Sequence, residues 1–405
     1  MIELLAPAGD LEKLKIAVDY GADAVYCGGE RFGLRAGSKN FTLDELGEGL
    51  EYAHKRRRKL YLTVNIFAHN EDIDGFIDYM DEIKDLPIDA FIVSDPGIFQ
   101  WMRDNRPTAE LHISTQANIT NKLSAQYWHK QGAKRLVLAR ELSLKEIADI
   151  RRASPDSLEL EAFVHGAMCI SYSGRCLLSA FMTGRDANRG ECAHPCRWRY
   201  NVVEDQRPGE YYPVEEDDRG TYIFNSKDLC MIQHVPELIE AGLNSFKIEG
   251  RIKSVYYVAA VTGAYRKAID AYLKEGKSWS FKESWLSELG KASHREYTSG
   301  FYFGKAGAGD QNYLSSQYIR DHEFTGLVLD YDPETGLATV EQRNKMSIGD
   351  EIEVTGPGIE PFTQILDRML NEEGNAIEHA PHAQQIIRIR MNKPVDKNYM
   401  VSIPK

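Results

Sequence analysis

Along the first two-thirds of the chain, apolar positions alternate between two periods. Short continuous apolar runs, the pattern of buried strands, are separated by stretches whose apolar residues recur every third or fourth position, the pattern of helices lying on a core. Strands are expected at 2–5, 23–27, 60–66, 89–93, 110–114, 134–138 and 158–164, and helices at 10–19, 43–57, 72–84, 97–104, 122–131 and 143–152. Asp10 stands where the first helix needs an N-cap. After a Gly- and Cys-rich segment the alternation resumes with a helix at 228–241, a strand at 244–248 and a helix at about 254–274. Strands joined by helices through short loops predict parallel pairing with right-handed crossovers. Eight such units predict an α/β fold, a TIM-like eight-fold β/α barrel with a cysteine-rich insertion (166–227) after strand seven. An open doubly wound sheet is the alternative. Against it, no Gly-x-Gly-x-x-Gly follows the first strand, and Gly28-Gly29 after the second is a weak signal.

Past about residue 285 the helical period is lost. Short strands are expected at 325–330, 337–342, 350–354, 362–367, 385–390 and 399–403, with turn sequences such as DPETG, GPG and NEEGN between them. This predicts a small C-terminal β-barrel domain at 323–405, a linker at 286–322 and a catalytic barrel at 1–285. Within the insertion, 197–206 and 221–226 read as two strands of a hairpin with an acidic tip. The string MSIGDEIEVTGPG resembles the second barrel domain of translation elongation factors, which bears on fold alone.

Composition narrows the class. The 405 residues are 42% hydrophobic and 27% charged, enough for a sizeable core, and no run approaches the length of a membrane span. A net charge of −12 argues against coating nucleic acid by bulk charge but leaves room for a local basic site. The start, MIELLAPAGD, lacks the basic and apolar regions of a signal peptide, and the six cysteines are unevenly spaced. Together these lead to the expectation of a reducing, cytoplasmic setting.

Four of the six cysteines, Cys169, Cys176, Cys192 and Cys196, fall in one stretch. Gaps of six, fifteen and three residues do not form the paired C-x-x-C knuckles of structural zinc. Four thiolates on irregular, Gly-rich chain suit an iron–sulfur cluster; zinc and free or redox thiols are the alternatives. Cys230, at the start of an expected helix where a thiol pKa falls, rivals Cys196 as the fourth ligand. Cys27, at the end of strand two, reads as a core thiol.

In a β/α barrel, chemistry gathers past the carboxyl ends of the strands. The polar residues there are Asn65, then Ser94 and Asp95, then His112, Ser114, Gln116 and Asn118, then Arg140, His165, and finally Lys247, Glu249 and Arg251. His165 and His112 are candidate proton carriers, with a packing role as the alternative for each. Glu249 and Arg251 should reach into the mouth, where an arginine grips a carboxylate or phosphate bidentately. Asn65, Ser114, Gln116, Arg140, Arg175 and Lys247 are candidate substrate contacts. Ser94, Asp95 and Asn118 are equally candidates for helix caps. Arginines interleaved with Tyr172, Phe181, Trp198 and Tyr200 suit a flipped base or single-stranded RNA loop. The run at 54–59, HKRRRK, is either a second nucleic-acid contact or a helix end favoured by the dipole.

The string EAFVHGAMCISYSGRCLLS at 161–179 resembles the signature of the collagenase-like peptidase family U32. LAPAGD at 5–10, STQAN at 114–118, RGECAHPCRW at 189–198, NSKDL at 225–229 and KIEGR at 247–251 fit it too, so the likeness spans nearly the whole chain. The resemblance runs closest to a branch that installs the hydroxyl of 5-hydroxyuridine at the tRNA wobble position. That branch implies a 4Fe–4S cluster on Cys169, Cys176, Cys192 and Cys196, with prephenate as possible co-substrate. It also implies tRNA, a small carboxylate and a homologous partner subunit or homodimer as partners. Peptidase activity is the second reading, and a cluster-bearing subunit of a two-chain hydroxylase the third. Neither H-E-x-x-H nor G-x-S-x-G occurs in the sequence to support proteolysis.

Overall fold

The computed structural model describes residues 2–33, 39–169, 171–198, 226–304 and 319–405, together with the strand segments 202–203, 211–212, 216–217 and 220–221. Eight parallel strands form the barrel: β1 (Glu3–Pro7), β2 (Ala24–Gly28), β3 (Lys59–Val64), β4 (Ala90–Val93), β5 (Leu111–Ile113), β6 (Arg135–Val137), β7 (Glu159–Ala167) and β8 (Ser245–Ile248). Each pairs with the next, and β8 bonds both β7 and β1, so the sheet closes. The doubly wound alternative is thereby overturned, because an open sheet would leave two edges.

Helices α1 (Leu11–Asp19), α2 (Leu43–Lys55), α3 (Asn70–Glu82), α4 (Pro96–Asn105), α5 (Lys122–Lys130) and α6 (Leu144–Arg152) fall where the 3.6 period places them. Their starts are fixed locally. Asp10 accepts from Lys13 N, Thr42 and Ser143 each form a capping box with the glutamate three residues on, and Asp95 accepts from Gly97 N and Ile98 N. Asp95 is thus a cap. Their apolar faces and the outward faces of the strands form one core.

Inside the barrel, period-two alternation divides the contents. Leu5, Ala24, Tyr26, Tyr61, Ala90 and Ile92 form an apolar cluster. Opposite them lies a buried ionic network. Arg135 bonds Glu3, lies 2.6 Å from Glu159 and 3.1 Å from Glu161, and Glu161 accepts from Lys247 Nζ at 2.8 Å. Buried charges persist only when paired and hydrogen-bonded in this way.

The segment expected as a helix from 228 differs. Asp228–Cys230 is a strand running antiparallel to β7, and the helix, Val235–Glu240, begins only after a 3₁₀ turn. Pairing with the overhanging end of β7 overrides the local helical pattern. A further helix, Glu283–Lys291, crosses the expected boundary at 285, and Tyr297–Thr298 joins the barrel sheet inside the expected linker. In the insertion, 202–203 pairs with 211–212 and 216–217 with 220–221, which replaces the expected pairing of 197–206 with 221–226. Most of those two segments lies outside the described residues.

The C-terminal strands His322–Asp332, Leu337–Gln342, Glu351–Thr355, Phe362–Ile365, Met369–Leu370, Ile386–Arg390 and Met400–Pro404 form a seven-stranded antiparallel sheet around their own core, with Val340, Ile352, Ile387 and Val401 at its centre. Tyr20 donates to the carbonyls of Thr355 and Asn398, Arg343 pairs with Glu12, and Tyr256 stacks on Phe324. No helix among the described residues is long and apolar enough to cross a membrane.

Candidate active site

A cavity of about 180 Å³ opens at the carboxyl ends of the barrel strands. The strands supply its floor and one wall: Tyr26, Thr63, Asn65, Ile92, Ser114, Gln116, Val137, Arg140, Phe163, Lys247, Glu249 and Arg251 line it. The insertion supplies the other wall, including all four clustered cysteines.

Specific contacts hold the insertion over the mouth. Asn188 clamps Cys176 twice, accepting from its N–H at 3.2 Å and donating to its carbonyl at 3.0 Å. The Asn188 carbonyl accepts from Phe67 N of the barrel. Arg189 forms a two-pronged pair with Asp72 at the start of α3, 2.7 and 2.8 Å. Ser179 accepts from Ala193 N, and Arg197 donates to the Met168 carbonyl.

All six cysteines are free thiols. Among the described residues, no three His, Cys, Asp or Glu side chains are arranged to hold a single metal ion. Burial raises the Cys196 pKa; Arg197 opposes this, and Cys169, Cys192 and Cys176 add to it. The His194 N–H points at Cys192 Sγ, 3.4 Å away, from a left-handed backbone at φ 55°. Cys230 does not join them. It lies in the strand beside β7, bonded to Tyr265, where burial pushes its thiol up to about 11. The expected helix N-terminus that would have lowered it is absent. Cys27 is a core thiol, fully buried and pushed up to about 12.

The cations of the cavity are each anchored. Lys247 is held by Glu161, and its ammonium lies 4.5 Å from the centre of the Tyr26 ring. Burial works to raise the Glu161 pKa, and the Lys247 and Arg135 charges more than offset it, holding it at about 2. Arg140 packs 4.0 Å from the Phe163 ring centre and reaches Glu249 at 3.4 Å. Arg251, almost wholly buried, donates to Asn40 Oδ1 at 2.6 Å and to Thr63 Oγ1 at 3.3 Å. Two glycines make room for it. A Cβ on Gly28 would stand 2.2 Å from Arg251 Nη2, and one on Gly9 would stand 2.0 Å from the Arg251 carbonyl oxygen. Asn65 donates to Ser114 Oγ at 3.1 Å, and Gln116 Oε1 is buried with no partner among the described residues.

Both histidines expected as proton carriers lie off the cavity. The β7–β8 pairing shifts register between Lys247 and Ile248, so His165 pairs with Ile248 instead of continuing the inward row of Glu161 and Phe163. The bulge turns His165 outward among Tyr257, Tyr265 and Tyr297, and burial drives its pKa down to about 3, with Lys253 and His294 adding to the effect. His112 faces inward but one layer below Ser114, where its ring meets Glu110 at 2.9 Å and the edge of Tyr61. Burial lowers its pKa against the opposing Glu110 bond. Arg175 lies outside the cavity, in an adjoining recess with Asn118, Thr120, Ser171 and Tyr172. The basic run at 54–59 precedes β3, at the amino end of the barrel and away from the mouth. His54 pairs there with Asp89, Arg58 with Asp23, and Arg56 lies over Tyr52.

The sequence reading missed Tyr26, Thr63 and Phe163, although inward alternation marks all three. It also missed Asn188 and Arg197, whose partners are distant backbone atoms that no spacing reveals.

The fold and site define a closed β/α barrel with a thiol-bearing insertion folded over a cationic, carboxyl-end cavity. The chain belongs to peptidase family U32: the family model "Peptidase family U32" matches residues 9–312, and "Peptidase family U32 C-terminal domain" matches residues 320–401. It is 43% identical over 399 residues to the tRNA hydroxylation protein P1 of Bacillus subtilis, covering 98% of this chain and 94% of that one. To the tRNA hydroxylation protein P of Escherichia coli it is 39% identical over 442 residues, covering 98% and 95%. To a protein named collagenase from Porphyromonas gingivalis it is 33% identical over 410 residues, covering 98% and 97%.

Proposed function

We propose that this chain is an RNA-modifying enzyme that contributes the hydroxyl of 5-hydroxyuridine at the tRNA wobble position, using a 4Fe–4S cluster and a carboxylate co-substrate such as prephenate. The observation that carries the reading is the meeting, in one cavity, of four thiols with Lys247, Arg140 and Arg251. The names of the full-length relatives support it.

The donor set fits the cluster. A single ion needs its ligands converged on one point, and the four thiols are not so arranged. A cubane gives each cysteine its own iron and asks for a wider ring of sulfurs. Cys169, Cys176, Cys192 and Cys196 would hold it, and the His194 amide would donate to the Cys192 sulfur, as amides do around such clusters. When bound, the cluster would supply electron transfer or Lewis-acid chemistry at the cavity wall.

The chain's own residues bind and orient. Lys247, fixed from below by Glu161, and Arg251, fixed by Asn40 and Thr63, present cations to a carboxylate without having to reorganise. Arg140 can exchange its long 3.4 Å contact with Glu249 for a substrate anion. The unpartnered Gln116 Oε1 offers an acceptor to a base N–H. The described part of the insertion forms one wall of the cavity beside the proposed reacting atoms.

Nucleoside mass spectrometry of tRNA from a deletion strain tests the reading. 5-Hydroxyuridine derivatives should vanish and return with the wild-type gene but not with Cys169→Ala. Unchanged nucleosides, together with gelatin cleavage by metal-free protein, would favour the hydrolase reading instead. Hydrolysis ranks second because a thiol nucleophile must be free, and the thiols beside His194, the one histidine lining the cavity among the described residues, are those assigned to the cluster.

A further inference from the structure

The recess beside the cavity has no part in the reading above. It shares the Tyr172 side chain with the cavity and is otherwise formed by Asn118, Thr120, Ser171 and Arg175. We propose that this recess, with the neighbouring Phe67 ring, is a stacking platform for a nucleobase of single-stranded RNA, the base next to the one that enters the cavity. The proposal rests on the RNA reading and adds to it a site that fixes which RNA is accepted.

Four observations converge. Tyr172 and Phe67 are each 48% exposed, so about half of each ring is left uncovered. Single-stranded nucleic acids bind by stacking on such rings, whatever the base, because every base has a π-face. Arg175 is exposed, its guanidinium lies 5.8 Å from the Phe67 ring centre, and it pairs with no carboxylate among the described residues. Arg189, by contrast, is committed to Asp72, and Arg140 faces Glu249 inside the cavity. Arg175 therefore keeps its charge for a phosphate or its plane for a base.

Asn118 supplies the polar reader. It stands in the left-handed region at φ 53°, and its Nδ2 donates to the carbonyls of Gln116 at 2.8 Å and Ser173 at 3.1 Å. Those two bonds fix which amide atom is the oxygen. Among the described residues Oδ1 is left as a buried, oriented acceptor with no donor, which the N–H group of a base edge reaching into the recess would satisfy.

Charge favours RNA that is held locally. With a net −12 the protein repels polyanions overall, so attraction must come from particular cations at the mouth. The recess walls are hydroxyl, amide, guanidinium and aromatic, the set that single-stranded RNA sites use. The aliphatic contacts of a protein docking site are missing from them. Leu177 and Phe181, the most exposed apolar side chains among the described residues of the insertion, lie outside the recess.

The test measures binding of the purified full chain to a labelled RNA hairpin with a uridine-containing single-stranded loop, and to a fully paired duplex of the same length. The hairpin should bind more tightly than the duplex. Tyr172→Ala should weaken hairpin binding about tenfold, with Tyr172→Phe within about twofold of wild type. Arg175→Ala should lower the slope of log Kd against log salt by roughly one, which marks a lost phosphate contact. Unchanged hairpin affinity in both alanine variants, with melting temperatures equal to wild type, overturns the platform. So does an equal loss for hairpin and duplex, or an affinity loss caused by Phe181→Ser in place of Tyr172→Ala. The RNA reading fails separately: wild type that binds the hairpin but does not restore 5-hydroxyuridine in cells sinks the reaction and leaves the platform standing.

Discussion

Lys247 Nζ lies 2.8 Å from Glu161 Oε1, and both side chains are sealed inside the barrel at the floor of the cavity. Glu161 also takes a bond from Arg135, which is shared with Glu3 and Glu159. Glu161→Gln removes the charge that faces Lys247 and leaves that ammonium uncompensated, while Arg135 keeps its other two carboxylates. It should destabilise the protein by about 3 kcal/mol in denaturant unfolding, the cost of breaking a buried pair from one side. The pH dependence has a fixed sign. Because the folded pKa is depressed from 4.5 to about 2, the stabilisation is fully present above pH 4.5 and is lost as pH falls towards 2. Glu161→Gln should flatten the stability curve in that window; an unchanged acid limb would refute the assignment.

The cysteines divide into two sets by position. Anaerobically prepared protein should show broad visible absorbance from thiolate-to-iron charge transfer. Changing Cys169, Cys176, Cys192 or Cys196 to alanine should abolish or bleach it. Cys230→Ala should leave it intact, because that thiol sits among Tyr265 and its neighbours with its pKa pushed up to about 11. Loss of the spectrum in the Cys230 variant would show that the ligand set is drawn wrongly.

His165 packs where a catalytic base was expected. His165→Ala should cost about 2–4 kcal/mol of stability through the cavity it leaves, while His165→Phe should keep both the fold and the hydroxylation activity. The buried ring stays neutral, with its pKa driven from 6.5 to about 3. Its contribution is present above pH 6.5 and is lost as pH falls towards 3, so the phenylalanine variant should be less acid-sensitive across that range. An inactive but fully folded His165→Phe protein would restore the catalytic role.

Gly28 and Gly9 both close on Arg251, with opposite consequences. A methyl at Gly28 meets the end of a flexible side chain, so Gly28→Ala should fold normally. It should displace the guanidinium and weaken binding of the proposed carboxylate co-substrate, read by calorimetry with prephenate as the probe, about tenfold. A methyl at Gly9 meets the Arg251 carbonyl, which is backbone and cannot yield, so Gly9→Ala should lower the melting temperature. Equal, wild-type affinity in the Gly28 variant would remove Arg251 from the carboxylate site.

The positions of the eight barrel strands and of six of the seven strands in the C-terminal sheet were legible because each is a run of apolar residues with its own period and clear turn punctuation; the two-residue strand Met369–Leu370 is too short to carry such a period. The placement of Asn65, Ser114, Gln116, Arg140, Lys247, Glu249 and Arg251 around one cavity followed from strand ends alone. The clustering of four cysteines was equally plain. Local sequence failed at β7, where a bulge reversed the facing of His165, and at Asp228–Cys230, where strand pairing replaced a helix start. Both departures occur beside the insertion, where long-range pairing competes with local preference.

The sequence by itself therefore determined most of the order of elements, the inward and outward rows of the regular strands and the stock of chemical groups, because these depend on near neighbours in the chain. Which groups meet was decided by tertiary structure. Closure of β8 on β1, the grip of Asn188 on Cys176 and of Arg189 on Asp72, and the reach of Glu161 to Lys247 each join residues far apart in the chain. Contacts of that kind are set by packing geometry and by the cost of leaving a buried polar group unpaired, and neither is written in the spacing of residues.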